Sequence, residues 1–187
     1  MSSSERLTSR KKPWPLCLAL AALLFTSLLA SAAQPDQSGW HAATAAELKS
    51  LLPARAPVQQ ERIETEMRTA SGITDGKGKY VAGVVLITAG YSADGKYSHF
   101  LLTHVPLRIG TFTLPPGAYV IGWEHIENGL HVKFYEAASG KPIGTIDATL
   151  NPSITRVESF RIWPPADHAL MQIGRFTFGY RIGDSNP

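Results

Sequence analysis

Residues 119–137 read Tyr-Val-Ile-Gly-Trp-Glu-His-Ile-Glu-Asn-Gly-Leu-His-Val-Lys-Phe-Tyr-Glu-Ala. Asn128-Gly129, set between two alternating apolar runs, is the strongest short hairpin signal a sequence carries. A two-residue turn on that pair sets Glu127 opposite Leu130, Ile126 opposite His131, His125 opposite Val132 and Glu124 opposite Lys133. Side chains alternate across a strand, so each face can be written out. One face carries Tyr119, Ile121, Trp123, His125, Leu130, Val132 and Phe134, and is the core face. The other carries Val120, Gly122, Glu124, Ile126, His131, Lys133 and Tyr135. Glu124 and Lys133 form a cross-strand ion pair there, worth well under about 1 kcal/mol. A four-residue turn keeps these faces, whereas a three-residue bulged turn inverts one strand.

The same pattern continues outward. Pro115-Pro116-Gly117, Asn128-Gly129, Ser139-Gly140, Asn151-Pro152 and Trp163-Pro164-Pro165 lie 11 to 13 residues apart. Short strands at that spacing predict a sandwich or barrel. Near the end, Phe176, Phe178, Tyr180 and Ile182 face one way and Arg175, Thr177 and Arg181 the other. Upstream, Ile63, Thr65, Met67 and Thr69 alternate with Arg62, Glu64, Glu66 and Arg68, a half-buried strand with a charged outer row, with a helix over Glu61 to Arg68 as the alternative. Tyr80 to Ala89 is apolar on both faces and predicts a central strand. Tyr97 to His104 is a further strand, and Asp75-Gly76 and Asp94-Gly95 mark the loops. Thr44 and Glu47 fit a capping box that opens a short helix over Ala45 to Leu52. Leu48, Leu51 and Leu52 share one of its faces, and Pro53 and Pro57 stop it. The expected fold is mainly β: a single antiparallel β-sandwich, or partly open barrel, over 58–187. Residues 34–57 precede it as a polar segment, the short helix and a linker.

Residues 1–33 have the layout of a secretory signal peptide. Arg6, Arg10, Lys11 and Lys12 precede an apolar run from Leu16 to Ala30, and Ala30-Ser31-Ala32-Ala33 supplies the small residues of a cleavage site. The run is shorter than the roughly 20 residues a spanning helix needs. The expected route is general secretion, ending in the periplasm or outside the cell, with no membrane span after cleavage at Ala32 or Ala33. The single Cys, Cys17, leaves with this segment. The remaining chain then has no disulfide, no thiol nucleophile and no Cys metal ligand. Charge follows the same division. Of 18 Lys and Arg, four lie in residues 1–33, and of 15 Asp and Glu only Glu5 does, so the rest carries 14 of each. A neutral chain gives no support for electrostatic binding to nucleic acid.

The candidate chemistry is thin. His125, Glu127 and His131 crowd the hairpin turn, yet His125 and His131 lie on opposite faces and do not readily close a tetrahedral metal site. His99 and His104 are five residues apart and also face opposite ways. There is no G-x-S-x-G, because Gly90-Tyr91-Ser92-Ala93-Asp94-Gly95 has one residue too many, and there is no H-E-x-x-H. Gly76-Lys77-Gly78 lacks phosphate-loop spacing, and Asp75 and Asp94 lack the companion carboxylates of a calcium loop. No metal or cofactor is expected. Of the aromatics, Trp123 falls on the core face and Trp163 at a strand end. The outer patch of Ile126, His131 and Tyr135 is apolar for a solvated face and, with Trp163 as a rim residue, is the candidate contact surface. The short helix or the N-terminal segment is the alternative cover for that patch.

The stretch Leu114-Pro-Pro-Gly117-Ala-Tyr119, followed by a Trp-bearing strand and Leu130-His-Val-Lys-Phe134, resembles hairpins of uncharacterised exported bacterial β-sandwich domains. The likeness covers residues 114–134 and rests on turn chemistry. It implies the sandwich fold and the exported location, and it carries no functional residues. Together these features predict a non-enzymatic binding or structural module of the cell envelope, with a protein or glycan partner. The alternatives are a small hydrolase built from His and carboxylates, with or without a metal, and an envelope assembly subunit that pairs through a sheet edge. The hydrolase requires two histidines to converge in one pocket.

Overall fold

The computed structural model describes residues 39–88 and 97–183. The signal segment, Cys17, most of the polar stretch 34–39 and the Gly90–Gly95 loop lie outside them. Strand β1 (His41–Ala42) leads to helix α1 (Ala45–Leu51). The Thr44 hydroxyl accepts from Glu47 N, and Glu47 Oε2 accepts from Thr44 N at 2.7 Å, which completes the expected capping box. There follow β2 (Arg55–Val58), β3 (Glu61–Thr74), β4 (Tyr80–Leu86), β5 (His99–Thr103), β6 (Leu107–Ile109), β7 (Phe112–Leu114), β8 (Gly117–Ile126) and β9 (Gly129–Glu136). The chain continues through β10 (Pro142–Leu150), β11 (Glu158–Ile162), β12 (Leu170–Gly174), β13 (Phe176–Gly179) and β14 (Arg181–Ile182).

The main sheet is antiparallel, in the order β1-β3-β4-β5-β8-β9-β10-β13-β12-β11, with β2 added on β3. It curls into a half-barrel, the partly open barrel expected from the sequence. Its two ends approach one another without forming a ladder: β11 packs against β3 and β4, and Ile162 N donates to Ser71 Oγ at 2.9 Å across the seam. Gly83 of β4 permits this approach, since a Cβ there would lie 2.5 Å from the Phe160 ring. The inner face holds the main core, including Ile73, Val81, Leu101, Ile121, Val132, Phe134, Met171 and Phe178.

The outer face of β4, β5 and β8 is also buried. Leu48 of α1, Leu52 at its C-cap, Ala56 and Val58 of β2, and Ile63 of β3 pack over Ala82, Val84, Phe100 and Val120. Both faces of β4 are therefore covered, which explains its two-sided apolar sequence. Pro57 does not stop the helix. It sits in β2 opposite Arg62, on an edge where a missing N–H is tolerated. Strand β3 serves both cores because a bulge turns it over. Glu66 lies opposite Val85 but Ser71 opposite Gly83. Ile63 consequently faces outward and Ile73 inward, although both are odd-numbered. Thr69 stabilises the bulge, its hydroxyl accepting from Val85 N at 3.0 Å and donating to Glu66 O at 2.7 Å.

The β8–β9 hairpin keeps the expected faces in a different register. Ile126 lies opposite Gly129, His125 opposite Leu130, and Glu124 opposite His131. The turn is Glu127-Asn128, and neither residue has positive φ, so the left-handed turn usual for Asn-Gly is not used. Gly129 serves the sheet instead. A Cβ on it would lie 2.1 Å from the Ala148 carbonyl oxygen of β10. The register moves by an even number of residues, so parity holds. Lys133 lies opposite Gly122 and reaches Glu124 diagonally at 3.0 Å.

Candidate functional site

Antiparallel order brings alternate strand termini to each end of the half-barrel. One end receives the entry to β8 and the ends of β5 and β13. There β6, β7 and β14 form a separate three-stranded sheet, and Leu107, Ile109 and Leu114 are fully buried in the main core. The strand expected from Phe176 through Ile182 breaks at Tyr180 to build it, Ile182 pairing with Leu107.

Among the described residues, no comparable small sheet covers the other end. Val85 and Leu86 of β4, Ser98 and His99 at the start of β5, Trp123 and His125 of β8, and Leu130 of β9 line a cavity of about 400 Å³ there. Thr88, Ser159 of β11, Ile173 and Gly174 of β12, and Phe176 of β13 complete the wall. The lining is predominantly apolar, and among the described residues it contains no Asp, Glu, Lys or Arg. Ile87, Ile126, Leu150 and Val157, the large hydrophobic side chains that remain exposed among the described residues, all belong to strand termini at this end.

The lining residues with polar groups are Thr88, Ser98, His99, Trp123, His125 and Ser159. His99 is buried at 3% exposure, and its ring lies 4.9 Å from that of Phe160. Its Nε2 lies 3.2 Å from the Ser159 carbonyl, which can only accept, so Nε2 carries the proton. Nδ1 lies 2.8 Å from Ser98 Oγ, whose single hydrogen it competes for with the Ile121 carbonyl oxygen at 2.9 Å. Burial holds the His99 pKa down at about 4, against a smaller upward pull from the Ser159 carbonyl. His99 is therefore neutral at physiological pH. His125 is exposed at the rim, its ring 5.3 Å from that of Trp123 and 6.3 Å from that of Phe176. Trp123 is half-buried, and its Nε1–H is buried with no hydrogen-bond partner.

The four residues singled out from sequence occupy different places. Ile126 and His131 are near neighbours on the outer face of the hairpin, and Ile126 is exposed at 41%. His131 Nδ1 lies 2.7 Å from Asp147 Oδ1 of β10. Tyr135 shares that face but packs into the outer core, edge-on to Tyr97 with ring centres 6.2 Å apart. Trp163 follows β11 at the opposite end of the half-barrel. It donates from Nε1 to Gln172 Oε1 at 3.0 Å and has the Arg161 guanidinium 4.2 Å over its ring. The cavity contains the residues that sequence did not group: Ser98, His99, Trp123 and His125. Trp123 and His125 alternate at the turn end of the core face, two large side chains with polar tips where aliphatics are expected. That was the available signal.

Histidines 99 and 125 do line one cavity, whereas His104 lies elsewhere, edge-on to Tyr80 at 5.9 Å. No group of three or more His, Cys, Asp or Glu placed to hold a metal ion occurs among the described residues. No helix among them is long and apolar enough to cross a membrane. Comparison of the chain with protein-family models, curated proteins and solved structures finds no match.

Proposed function

We propose that the chain is an exported binding module that takes one small, largely apolar molecule into the cavity end of its half-barrel. The observation that carries this reading is the predominantly apolar cavity of about 400 Å³ at the end of the half-barrel that β6, β7 and β14 do not cover. Its size lies within the range of small-molecule sites, and its lining is mainly apolar with a few polar side chains among it. The layout of residues 1–33 supports the exported location. The apolar lining favours a small hydrophobic ligand over a glycan.

The test is thermal unfolding of the purified protein with naphthalene, with short glycans, and with neither. A ligand at 100 times its dissociation constant adds about 2.7 kcal/mol. In a domain of this size that raises the midpoint by roughly 5–10 °C. The shift is expected with naphthalene and not with glycans, and Val85→Phe, which fills the cavity from β4, is expected to remove it. A naphthalene shift that survives Val85→Phe would place binding elsewhere and sink the reading.

A second reading has one observation in its favour. Ser98, His99 and His125 line the same cavity, the convergence a small hydrolase would need. A general base works best near the operating pH, and burial holds His99 well below it, with Nε2 on the Ser159 carbonyl and Nδ1 beside Ser98 Oγ. Hydrolysis of p-nitrophenyl butyrate that disappears in His125→Ala would establish this reading over the first.

A further inference from the structure

Resting on the binding reading, we infer that the ligand is an uncharged amphiphile with a hydroxyl or carbonyl at one end only, bound apolar end first so that this group stays at the cavity mouth beside His125. The cavity wall is graded. Among its described lining residues, Leu86, His99, Leu130 and Ile173 are buried, and Leu130 and Ile173 belong to the main core. His125 and Ser159 are exposed, and Thr88, just beyond the end of β4, is half-buried. Exposure marks the mouth and burial the depth. The mouth therefore has an imidazole and two hydroxyl-bearing residues, and the depth has aliphatic side chains and one histidine.

The deep histidine offers a polar group little. His99 Nε2 has the Ser159 carbonyl at 3.2 Å, and Nδ1 has Ser98 Oγ at 2.8 Å. A polar group carried to the bottom would lose its hydration against Leu130 and Ile173, or would have to displace Ser98 from His99. At the mouth the same group keeps water on one side and has the His125 ring on the other. An imidazole donates in either protonation state and in its neutral form also accepts, which suits a hydroxyl or a carbonyl. No Asp, Glu, Lys or Arg among the described residues lines the wall to offset a charged head. A second polar group at the far end of the ligand would be buried without a partner, which confines polarity to one end.

The test reads the direction of binding without a substitution. The probe is 2-naphthol, bound to the full chain carrying carbon-13 at the Ile and Leu methyls and the His rings. Nuclear Overhauser contacts are expected from the ligand protons that flank the hydroxyl to the His125 ring. The protons at the far end of the naphthalene frame are expected to contact the Ile173 and Leu130 methyls. The reverse pattern, or both ends contacting both sets alike, would overturn the inference and leave the binding reading standing. A calorimetric cycle adds a second readout, with 2-naphthol and naphthalene as ligands and wild type and His125→Phe as proteins. The naphthol is expected to lose about threefold in affinity on His125→Phe, and naphthalene to change by less than about twofold. Equal changes for both ligands, or naphthalene binding without naphthol binding, would also overturn the inference alone. If neither ligand binds the wild type, the binding reading falls and the inference with it.

Discussion

The two ends of the half-barrel are made by the same strands and finished in different ways. At the closed end, the chain spends β6, β7 and β14 on a plug whose Leu107, Ile109 and Leu114 have no exposed surface. At the cavity end, the inner face runs out in Trp123, His125 and His99 around a cavity, with single aliphatic residues at the surrounding strand termini. An apolar interior gains stability when filled, by dispersion contacts and by removal of surface from water. Side chains that border a cavity forgo part of that gain. The difference predicts that a side chain of the plug contributes more to stability than one that borders the cavity.

The largest expected effect separates the ends directly. Leu114→Ala removes a fully buried side chain from the plug and should destabilise the fold by about 3–4 kcal/mol. Ile173→Ala removes a side chain that already borders a void, so fewer contacts are lost, and about 1–2 kcal/mol is expected. Urea unfolding of the two variants gives both numbers. Equal losses would mean that the cavity end is packed as tightly as the plug.

The next effect sharpens the comparison through pH. His99 has a folded pKa of about 4 against an ordinary value of 6.5, because its charged form is desolvated. Between those values the unfolded chain binds more protons than the native one, so protonation favours unfolding as the pH falls. The stability due to neutral His99 is present in full above pH 6.5 and is lost progressively towards pH 4. The limit is about 3 kcal/mol. His99→Gln should flatten that window, measured as midpoint against pH. A wild-type slope retained in the variant would assign the effect to carboxylates, such as Glu47 and Asp75, whose pKa values hydrogen bonds hold down.

What could be read from the sequence and what could not follow from the range of the interactions. The helix start was legible because Thr44 and Glu47 act within one turn. The hairpin faces were legible because parity survives an even slip. The register was not legible, because Gly129 answers to Ala148 on the next strand rather than to its own turn. The inversion of β3 depends on which residue of β4 meets Ser71, and residues 67–70 carry no local sign of it. Strands β6 and β7 are three residues each, too short for a period to show. The cavity is the least local feature of all. It is defined by where seven strands start or stop, with Ser98 and His99 at the entry to one, Trp123 and His125 on another and Ser159 on a third.

The smallest expected effect concerns the outer face beside the cavity end, where the sequence anticipated the right ion pair in the wrong register. Glu124 lies directly opposite His131 and only diagonally from Lys133, yet it is Lys133 Nζ that stands 3.0 Å from its carboxylate. His131 has turned to Asp147 on the other side. Side chains of both Glu124 and Lys133 retain a substantial share of solvent contact, so screening and side-chain entropy offset most of the attraction. A double-mutant cycle of Glu124→Gln and Lys133→Gln should return a coupling of about 0.5 kcal/mol or less, falling further as salt is raised. The same cycle between Glu124 and His131 should return still less at pH 7. A larger coupling to His131 than to Lys133 would show that, in solution, the directly opposed residues pair and the diagonal contact gives way. The register itself would be unchanged, because Gly129 fixes it from inside the sheet.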